Sequence, residues 1–254
     1  MQRTFLTTAM YHFVDLPHFE KLREPLLQFC LGHQIKGTLL LADEGINGTL
    51  AGSEKSILEL IEYLKTDPLF EGNFKSLDHK ESWSDKHPFY RMKVKLKKEI
   101  VTLGVLGISP TKIVGTYVKP KDWNAIISDP EVILIDTRND FEVEYGSFDN
   151  ALHFNINKFS EFPGAIESHL SELADKTLVS FCTGGIRCEK SGLYLRERGL
   201  EHSYQLDGGI LQYFEDIGSA HYRGDCFVFD ERETLEPTLA AKPQGRLKPK
   251  KTNP

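Results

Sequence analysis

Apolar positions follow two different periods over the first hundred residues. Some runs alternate or are continuously apolar, as in strands, and two segments repeat apolar residues at the i, i+3, i+4, i+7 spacing of a helix. Ser53 is a candidate N-cap for the second of these helices, and Pro68 follows its end. In chain order the pattern predicts a strand at 9–14, a helix ending near Gly32, strands at 36–42 and from 49, a helix carrying Ile57, Leu60, Ile61 and Leu64, and a strand at 90–96.

This order of elements, β-α-β-β-α-β, is that of a ferredoxin-like or acylphosphatase-like α+β domain. We therefore predict such a domain over residues 1–107, closed by the strand at 90–96. The following stretch contains Gly104, Gly107 and Pro110, which are typical of a connector between domains.

Residues 108–225 carry the pattern of an α/β domain with a parallel sheet. The run 132–135 is continuously apolar, as expected for a strand covered on both faces. Residues 226–254 form a C-terminal extension, of which we expect roughly the last 15 residues to be disordered, since few are apolar. The predicted elements are strands at 132–135, 151–154, 178–181 and 203–206, and helices at about 159–173, 187–198 and 211–217.

A short loop after the strand at 178–181 carries the strongest candidate chemistry. In a strand–loop–helix turn with two glycines, backbone N–H groups converge on one point beside the positive end of the helix. The side chain at that point is the thiol of Cys182, and such surroundings favour the nucleophilic thiolate. The alternative is a small buried cysteine at a strand end. The candidate loop residues are Cys182, Thr183, Gly184, Gly185, Ile186 and Arg187.

Four further residues are candidates for supporting this loop. Asp136 and Arg138 follow the strand at 132–135, where ligands bind in open α/β sheets. With Glu142 they are expected to brace the loop through ion pairs rather than to perform chemistry. Cys188 lies in the predicted loop helix, where it either forms a disulfide with an oxidised Cys182 or is a buried helix residue.

A basic stripe and an acidic hairpin in the first domain each allow two interpretations. The alternation at 90–96 places basic residues on one face, which is either an RNA-binding surface or a solvated strand edge. Asp43, Glu44 and Asn47 either close over the loop crevice or form an ordinary acidic turn. The candidate RNA-binding residues are Arg91, Lys93, Lys95 and Lys97.

Bulk properties restrict the class of protein. The net charge is −6, and residues 108–225 hold 11 basic and 19 acidic side chains, so charge alone does not indicate binding to DNA or another nucleic acid. Four cysteines in 254 residues are not a disulfide framework, and no metal-binding spacing surrounds them. No apolar run approaches the roughly 20 residues of a membrane span, and the N-terminus lacks a signal-peptide pattern. We therefore expect a cytoplasmic protein without membrane contact.

Three motifs resemble the rhodanese domain: residues 135–146, 182–187 and 206–210. Together with the hairpin at 43–49 and the segment 226–232, they make the chain similar to bacterial tRNA uridine hydroxylases over about residues 5–235. The resemblance implies oxygen-dependent hydroxylation of the wobble uridine in the tRNA anticodon region, giving 5-hydroxyuridine. It also implies that Cys182 is essential and that molecular oxygen is a co-substrate. No cofactor motif is visible in the sequence.

Two other functions compete with this one. The same cysteine loop suits a sulfurtransferase that passes persulfide sulfur to a thiol or RNA acceptor. A non-catalytic RNA-binding rhodanese-like module is the third candidate, against which the intact Cys182 argues. A phosphatase is disfavoured because the related phosphatase loops are one residue longer.

Overall fold

A computed structural model of the chain describes residues 4–111 and 115–241. The first domain is built on a five-stranded sheet with the order β4-β1-β3-β2-β5. Helix α1 (Phe19–Gly32) follows β1, and helix α2 (Glu54–Thr66) follows β3. The strands are β1 (Phe5–Phe13), β2 (Lys36–Ala42), β3 (Gly45–Gly52), β4 (Asp78–Ser84) and β5 (Met92–Leu96).

The strand that closes the ferredoxin-like order is not the predicted one. Strand β4 pairs antiparallel with β1 and completes the order, whereas β5 lies parallel to β2 at the opposite edge. The prediction was wrong because β4 is an edge strand of mostly polar residues, so it carries little apolar alternation.

The helices of the first domain cover only one face of its sheet. The side chain of Ser53 caps α2 by accepting a hydrogen bond from the Ser56 N–H, and the four predicted apolar positions of this helix are buried. Met92 and Val94 of β5 belong to the same core. Because side chains alternate along a strand, Lys93 lies on the other face, directly opposite Thr38 of β2. This second face is turned toward the rest of the chain.

The second domain is an α/β unit around a parallel sheet with the order β6-β10-β9-β7. Aromatic and aliphatic side chains pack on both sides of the sheet in two core clusters. The strands are β6 (Thr116–Val118), β7 (Val132–Asp136), β8 (Gly146–Phe148), β9 (Thr177–Phe181) and β10 (Ser203–Leu206), and the helices are α3 (Pro120–Ile127), α4 (Asp140–Val143), α5 (Phe162–Glu167), α6 (Leu170–Leu173), α7 (Ile186–Glu197) and α8 (Gly209–Asp216).

Several predicted elements of this domain differ from the structure. The predicted strand at 151–154 is a single bridge between Leu152 and Ile135. The predicted long helix at 159–173 consists of a 3-10 turn, Phe159–Glu161, followed by α5 and α6. Pro163 and Gly164 lie at the start of α5, where they disfavour a continuous helix. Strand β6 has only three residues, which is too short to leave a pattern.

The segment after residue 221 packs onto the second domain. Strand β11 (Tyr222–Gly224) pairs with β8, and β12 (Cys226–Phe227) pairs with β13 (Thr234–Leu235). Cys226 is completely buried in the core of this domain. The disorder expected for roughly the last 15 residues concerns a stretch that lies, from 242 onward, outside the described residues. No helix among the described residues has the length and apolarity to cross a membrane.

Candidate active site

The loop between β9 and α7 places several N–H groups around the sulfur of Cys182. The Gly185 N–H donates to Sγ at 3.1 Å, and the N–H groups of Arg187 and Cys188 also hydrogen bond to it. Gly185 has φ = 97°, which an L side chain rarely adopts. A Cβ there would also lie 2.9 Å from the hydroxyl of Tyr11, which reaches over the loop from β1. Glycine is therefore required at this position for two reasons: the turn needs a positive φ, and Tyr11 of the first domain approaches too closely for a side chain.

Cys182 is held as a thiolate. Burial raises the pKa of its thiol, but the hydrogen bond from the Cys188 thiol, the charge of Arg187 and the backbone N–H groups outweigh burial and lower the pKa to about 6. At neutral pH the ionised, nucleophilic form therefore predominates. The residue has 0% exposure, although it forms part of the wall of a large cavity.

Cys188 is a buried helix residue that supports the thiolate. Burial raises the pKa of its thiol well above the usual value, and the hydrogen bond and charge of Cys182 raise it further. Cys188 therefore keeps its proton at a pH where Cys182 is ionised. Its sulfur also lies 3.8 Å from the hydroxyl of Thr137. Both cysteines are free thiols in the structure.

Two buried ion pairs lie in the second domain near the loop. Arg187 donates two hydrogen bonds to Glu142, at 2.6 and 2.7 Å, and Glu142 has 0% exposure. Arg138 donates to Asp136 at 2.6 and 2.9 Å and to the Gly146 carbonyl at 2.7 Å. Burial alone would lower the pKa of Arg138, but the charge of Asp136 and the hydrogen bonds to it hold it well above the usual value. The ion pairs expected for Asp136, Arg138 and Glu142 are present, and of these residues Glu142 contacts the loop directly through Arg187, while their role in bracing the loop stays a prediction.

The cavity in front of Cys182 lies between the two domains and has a volume of about 640 Å³. The uncovered face of the first sheet forms one wall, and the cysteine loop forms the opposite wall. The first domain contributes Tyr11, Phe13, Thr38, Leu40 and Thr49, and the second contributes Tyr117, Cys182, Thr183, Gly184, Ile186, Arg187, Glu189 and Asp207, among others.

Polar contacts across the domain boundary fix this arrangement, and the sequence interpretation missed most of them. Across the boundary, the Tyr11 hydroxyl donates to Glu189 Oε1 at 3.2 Å. Within the second domain, the Tyr117 hydroxyl donates to both carboxylate oxygens of Glu189 at 3.1 and 3.0 Å. Lys190, which is 1% exposed, pairs with Glu44 at 2.8 Å and with Glu99 at 2.6 Å. The sequence signal for Glu189 and Lys190 is their position directly after the cysteine loop.

The acidic hairpin helps to hold the two domains together. Glu44 accepts a hydrogen bond from the Ile100 N–H at 2.7 Å in addition to its pair with Lys190. The Asn47 amide donates to the Ile100 carbonyl at 2.8 Å. The hairpin therefore anchors the start of the connector beside α7.

The basic stripe lies at the edge of the cavity wall. Arg91, Lys95 and Lys97 are exposed, and Lys93 is half-buried. A shallow groove lined by Arg91, Lys93, Phe89 and Phe229 adjoins the cavity, since Phe89 and Phe229 line both. Two aromatic side chains of this groove are unusually exposed, Tyr90 at 82% and Phe229 at 60%.

No three His, Cys, Asp or Glu side chains within residues 4–111 and 115–241 form a cluster that could hold a metal ion. Polar groups that line the cavity around Cys182 include the loop N–H groups, Arg187, and the carboxylate and phenols around Glu189. These groups can stabilise a thiolate, bind an anion and exchange a proton.

Comparison with solved structures gives low overall similarity. The rhodanese-like domain of an Anabaena protein matches 42% of this chain and 78% of that chain, with 16% identity and a TM-score of 0.36. An acylphosphatase from Coxiella burnetii matches 37% of this chain and 93% of that chain, with 15% identity and a TM-score of 0.26.

Sequence comparison is much more specific. The profile of the UPF0176 acylphosphatase like domain matches residues 5–100, and that of the rhodanese-like domain matches residues 119–216. A tRNA uridine(34) hydroxylase from Bartonella quintana is 53% identical over 239 residues, which cover 93% of this chain and 77% of that protein. With this identity over nearly its whole length, the chain belongs to the family of tRNA uridine(34) hydroxylases.

Proposed function

We propose that this protein hydroxylates C5 of the wobble uridine in the anticodon loop of tRNA in the cytoplasm, giving 5-hydroxyuridine, with molecular oxygen as co-substrate. The observation that carries the proposal is the thiolate of Cys182 in the wall of an interdomain cavity. The name of the Bartonella quintana relative supports the choice of uridine 34 as the target.

The chemistry follows from the reactivity of a thiolate toward uracil. The sulfur of Cys182 adds to C6, and the electron pair of the C5–C6 double bond moves onto C5 and the C4 carbonyl. C5 then becomes nucleophilic and attacks oxygen. Overall, one oxygen atom enters at C5, and the other leaves as water with two electrons and two protons from a cellular reductant such as a thiol. Arg187 and the loop N–H groups stabilise the sulfur before addition and after its release.

The cavity is suited to a single nucleoside taken out of its stack. Its volume of about 640 Å³ is in the range of small-molecule sites. Enzymes that modify a base bind it extruded from the nucleic acid, and anticodon-loop bases are unpaired and easily extruded. Contact with one flipped base from both domains also gives the first domain a role that a simple sulfur carrier lacks.

The groove beside the cavity supports binding of the flanking nucleotides. Arg91 and Lys93 supply positive charge next to the exposed rings of Tyr90 and Phe229. Proteins that bind single-stranded RNA combine such charge with aromatic side chains on which bases stack. Lys95 and Lys97 continue the basic stripe along the same edge, where they contact phosphates farther from the modified base.

The test is expression in a bacterial strain that lacks wobble hydroxylation, followed by mass spectrometry of digested tRNA. We expect 5-hydroxyuridine with the wild-type protein, none with Cys182→Ala, and wild-type levels with Cys30→Ala, which removes a cysteine from the core of the first domain. Growth under ¹⁸O₂ should place the heavy atom in the product. Unmodified tRNA together with robust thiosulfate:cyanide sulfur transfer by the purified protein would instead establish the sulfurtransferase alternative.

A further inference from the structure

One acidic side chain of the cavity has no role in the scheme above. Glu189 lies in the first turn of α7, is 5% exposed and lines the same cavity as Cys182. Its carboxylate accepts hydrogen bonds from the hydroxyls of Tyr11 on β1 and Tyr117 on β6, at 3.0 to 3.2 Å. Gln205 of β10 also hydrogen bonds to it.

Glu189 differs from the other acidic groups near the loop in having only neutral donors. Asp136 is paired with Arg138, and Glu142 is paired with Arg187. Within the described part of the chain, no lysine or arginine lies in ion-pair distance of Glu189. A carboxylate paired with a buried guanidinium loses its ion pair when it takes up a proton. Glu189 has no ion pair to lose.

The same distinction holds for the other two acidic residues of the cavity wall. Asp207 is paired with Lys119 at 2.6 Å, and Asp78 is paired with Lys80 at 3.4 Å. Among the cavity carboxylates, Glu189 is therefore the one that can exchange a proton without breaking an ion pair.

We propose that Glu189 is a catalytic base that takes the proton from C5 of the uracil ring, an inference that rests on the proposed hydroxylation. After oxygen has entered at C5, the ring is saturated at C5 and C6 and Cys182 is bonded to C6. Glu189 removes the C5 proton, the C5–H electron pair forms the C5–C6 double bond, and the C6–S pair returns to sulfur. The step is an elimination that consumes no oxidant or reductant.

The surroundings of Glu189 are consistent with a base at neutral pH. Burial raises the pKa of its carboxyl group, hydrogen bonds from Tyr117, Gln205 and Tyr11 lower it, and the charge of Cys182 raises it again. The net result is a raised pKa, which makes the carboxylate a stronger base than an exposed glutamate. Tyr11 and Tyr117 are positioning residues, since they aim the carboxylate and tune its basicity.

The decisive readout is exchange of the C5 hydrogen. The purified full-length protein is incubated without oxygen with tRNA that carries tritium at C5 of its uridines, and tritium released to water is counted. Addition of the thiolate at C6 followed by reversible proton transfer at C5 releases tritium even when no hydroxylation occurs. A parallel aerobic incubation measures 5-hydroxyuridine.

In Glu189→Gln, we expect the rates of tritium release and of hydroxylation to fall by roughly 100-fold or more, as is typical when a general base is removed. The thiolate absorbance of Cys182 at 240 nm should persist in this variant. Glu197→Gln, an exposed position on the same helix, is the matched control and should behave like the wild type. In Tyr11→Phe, the midpoint of the pH–rate profile should move to higher pH, because a hydrogen bond that lowers the pKa of Glu189 has been removed.

Wild-type rates of tritium release and hydroxylation in Glu189→Gln would overturn this assignment. An unshifted pH profile in Tyr11→Phe would overturn the positioning role of that phenol. If the wild type releases tritium that Glu189→Gln does not, but makes no 5-hydroxyuridine, the proposed hydroxylation is overturned and the proton transfer by Glu189 remains supported.

Discussion

The ammonium group of Lys190 lies 2.8 Å from the carboxylate of Glu44, joining α7 directly after the cysteine loop to the hairpin between β2 and β3. Glu99, in the connector, approaches the same ammonium at 2.6 Å. Because Lys190 is 1% exposed, its charge is compensated almost entirely by these two carboxylates. The loop that holds Cys182 is therefore tied to the first domain and to the connector through a single side chain.

Replacement of Lys190 by methionine should destabilise the protein. The apolar stem is retained, but two carboxylates remain close together without their cation, and loss of one partner of a buried ion pair costs about 3 kcal/mol. Urea unfolding should show a lower midpoint for Lys190→Met. Lys55→Met, at an 84% exposed position on α2, is the matched control and should leave the midpoint nearly unchanged. Equal midpoints for the two variants would contradict a structural role for the Lys190 contacts.

The two adjacent glycines of the cysteine loop should differ sharply in their tolerance of alanine. At Gly185 the positive φ and the Tyr11 hydroxyl both oppose a Cβ, and the strained backbone alone costs about 1 to 3 kcal/mol. At Gly184 no atom lies within 4 Å of a Cβ position. Thermal unfolding should therefore show a clear loss for Gly185→Ala and little change for Gly184→Ala. The reverse order would contradict the loop conformation described here, in which Gly185 has a positive φ.

The sequence predicts those parts of the structure that depend on local pattern. Helix α2 is an example, since its N-cap and four apolar positions together specify where it starts and which face is buried. Strand β4 could not be predicted, because a polar edge strand is specified by its partner β1 rather than by its own alternation of apolar and polar residues. The position of the cysteine loop was also predictable, because a strand, two glycines and a helix start occur within a few residues.

The rest of the site depends on how the domains dock. Tyr11 and Glu189 are 178 positions apart, and neither residue type indicates a partner. The hydrogen bond exists only because the uncovered face of one sheet meets the loop of the other domain. The ion pairs of Asp136 and Glu142 were accessible to sequence reasoning because these residues lie at and just after the end of a buried strand, at the edge where the loop lies.

The ionisation of Cys182 should be measurable directly. Because its pKa is lowered to about 6, absorbance of the thiolate at 240 nm should rise with a midpoint near that pH in the wild type and be missing in Cys182→Ala. In Cys188→Ala the midpoint should move to higher pH, since the hydrogen bond that stabilises the thiolate is removed. Initial rates of hydroxylation should fall as the pH drops below this midpoint, because both the thiolate of Cys182 and the carboxylate of Glu189 must be unprotonated. A wild-type midpoint near that of a free thiol would contradict the stabilisation described for the loop.

Variants of the groove beside the cavity should distinguish the contribution of positive charge to RNA binding from the contribution of base stacking. Each of Arg91→Gln and Lys93→Gln should weaken binding of an anticodon stem-loop and reduce the slope of log K against log salt by about 0.7, because one contact to a single-strand phosphate is lost. Phe229→Ala should weaken binding by about 1 to 3 kcal/mol with an unchanged slope, since a stacked base releases no counterions.

Fluorescence anisotropy over a salt series distinguishes these effects, with Lys55→Gln as the control for a basic residue elsewhere on the first domain. Phe229 packs edge-on against Phe227 with ring centroids 5.1 Å apart, so its ring is already oriented before RNA binds. Loss of affinity on its removal therefore reports on a preformed stacking surface. If Arg91→Gln, Lys93→Gln and Phe229→Ala all bind like Lys55→Gln, the flanking nucleotides do not pass through this groove, and the basic edge of β5 only protects the sheet from pairing with another chain.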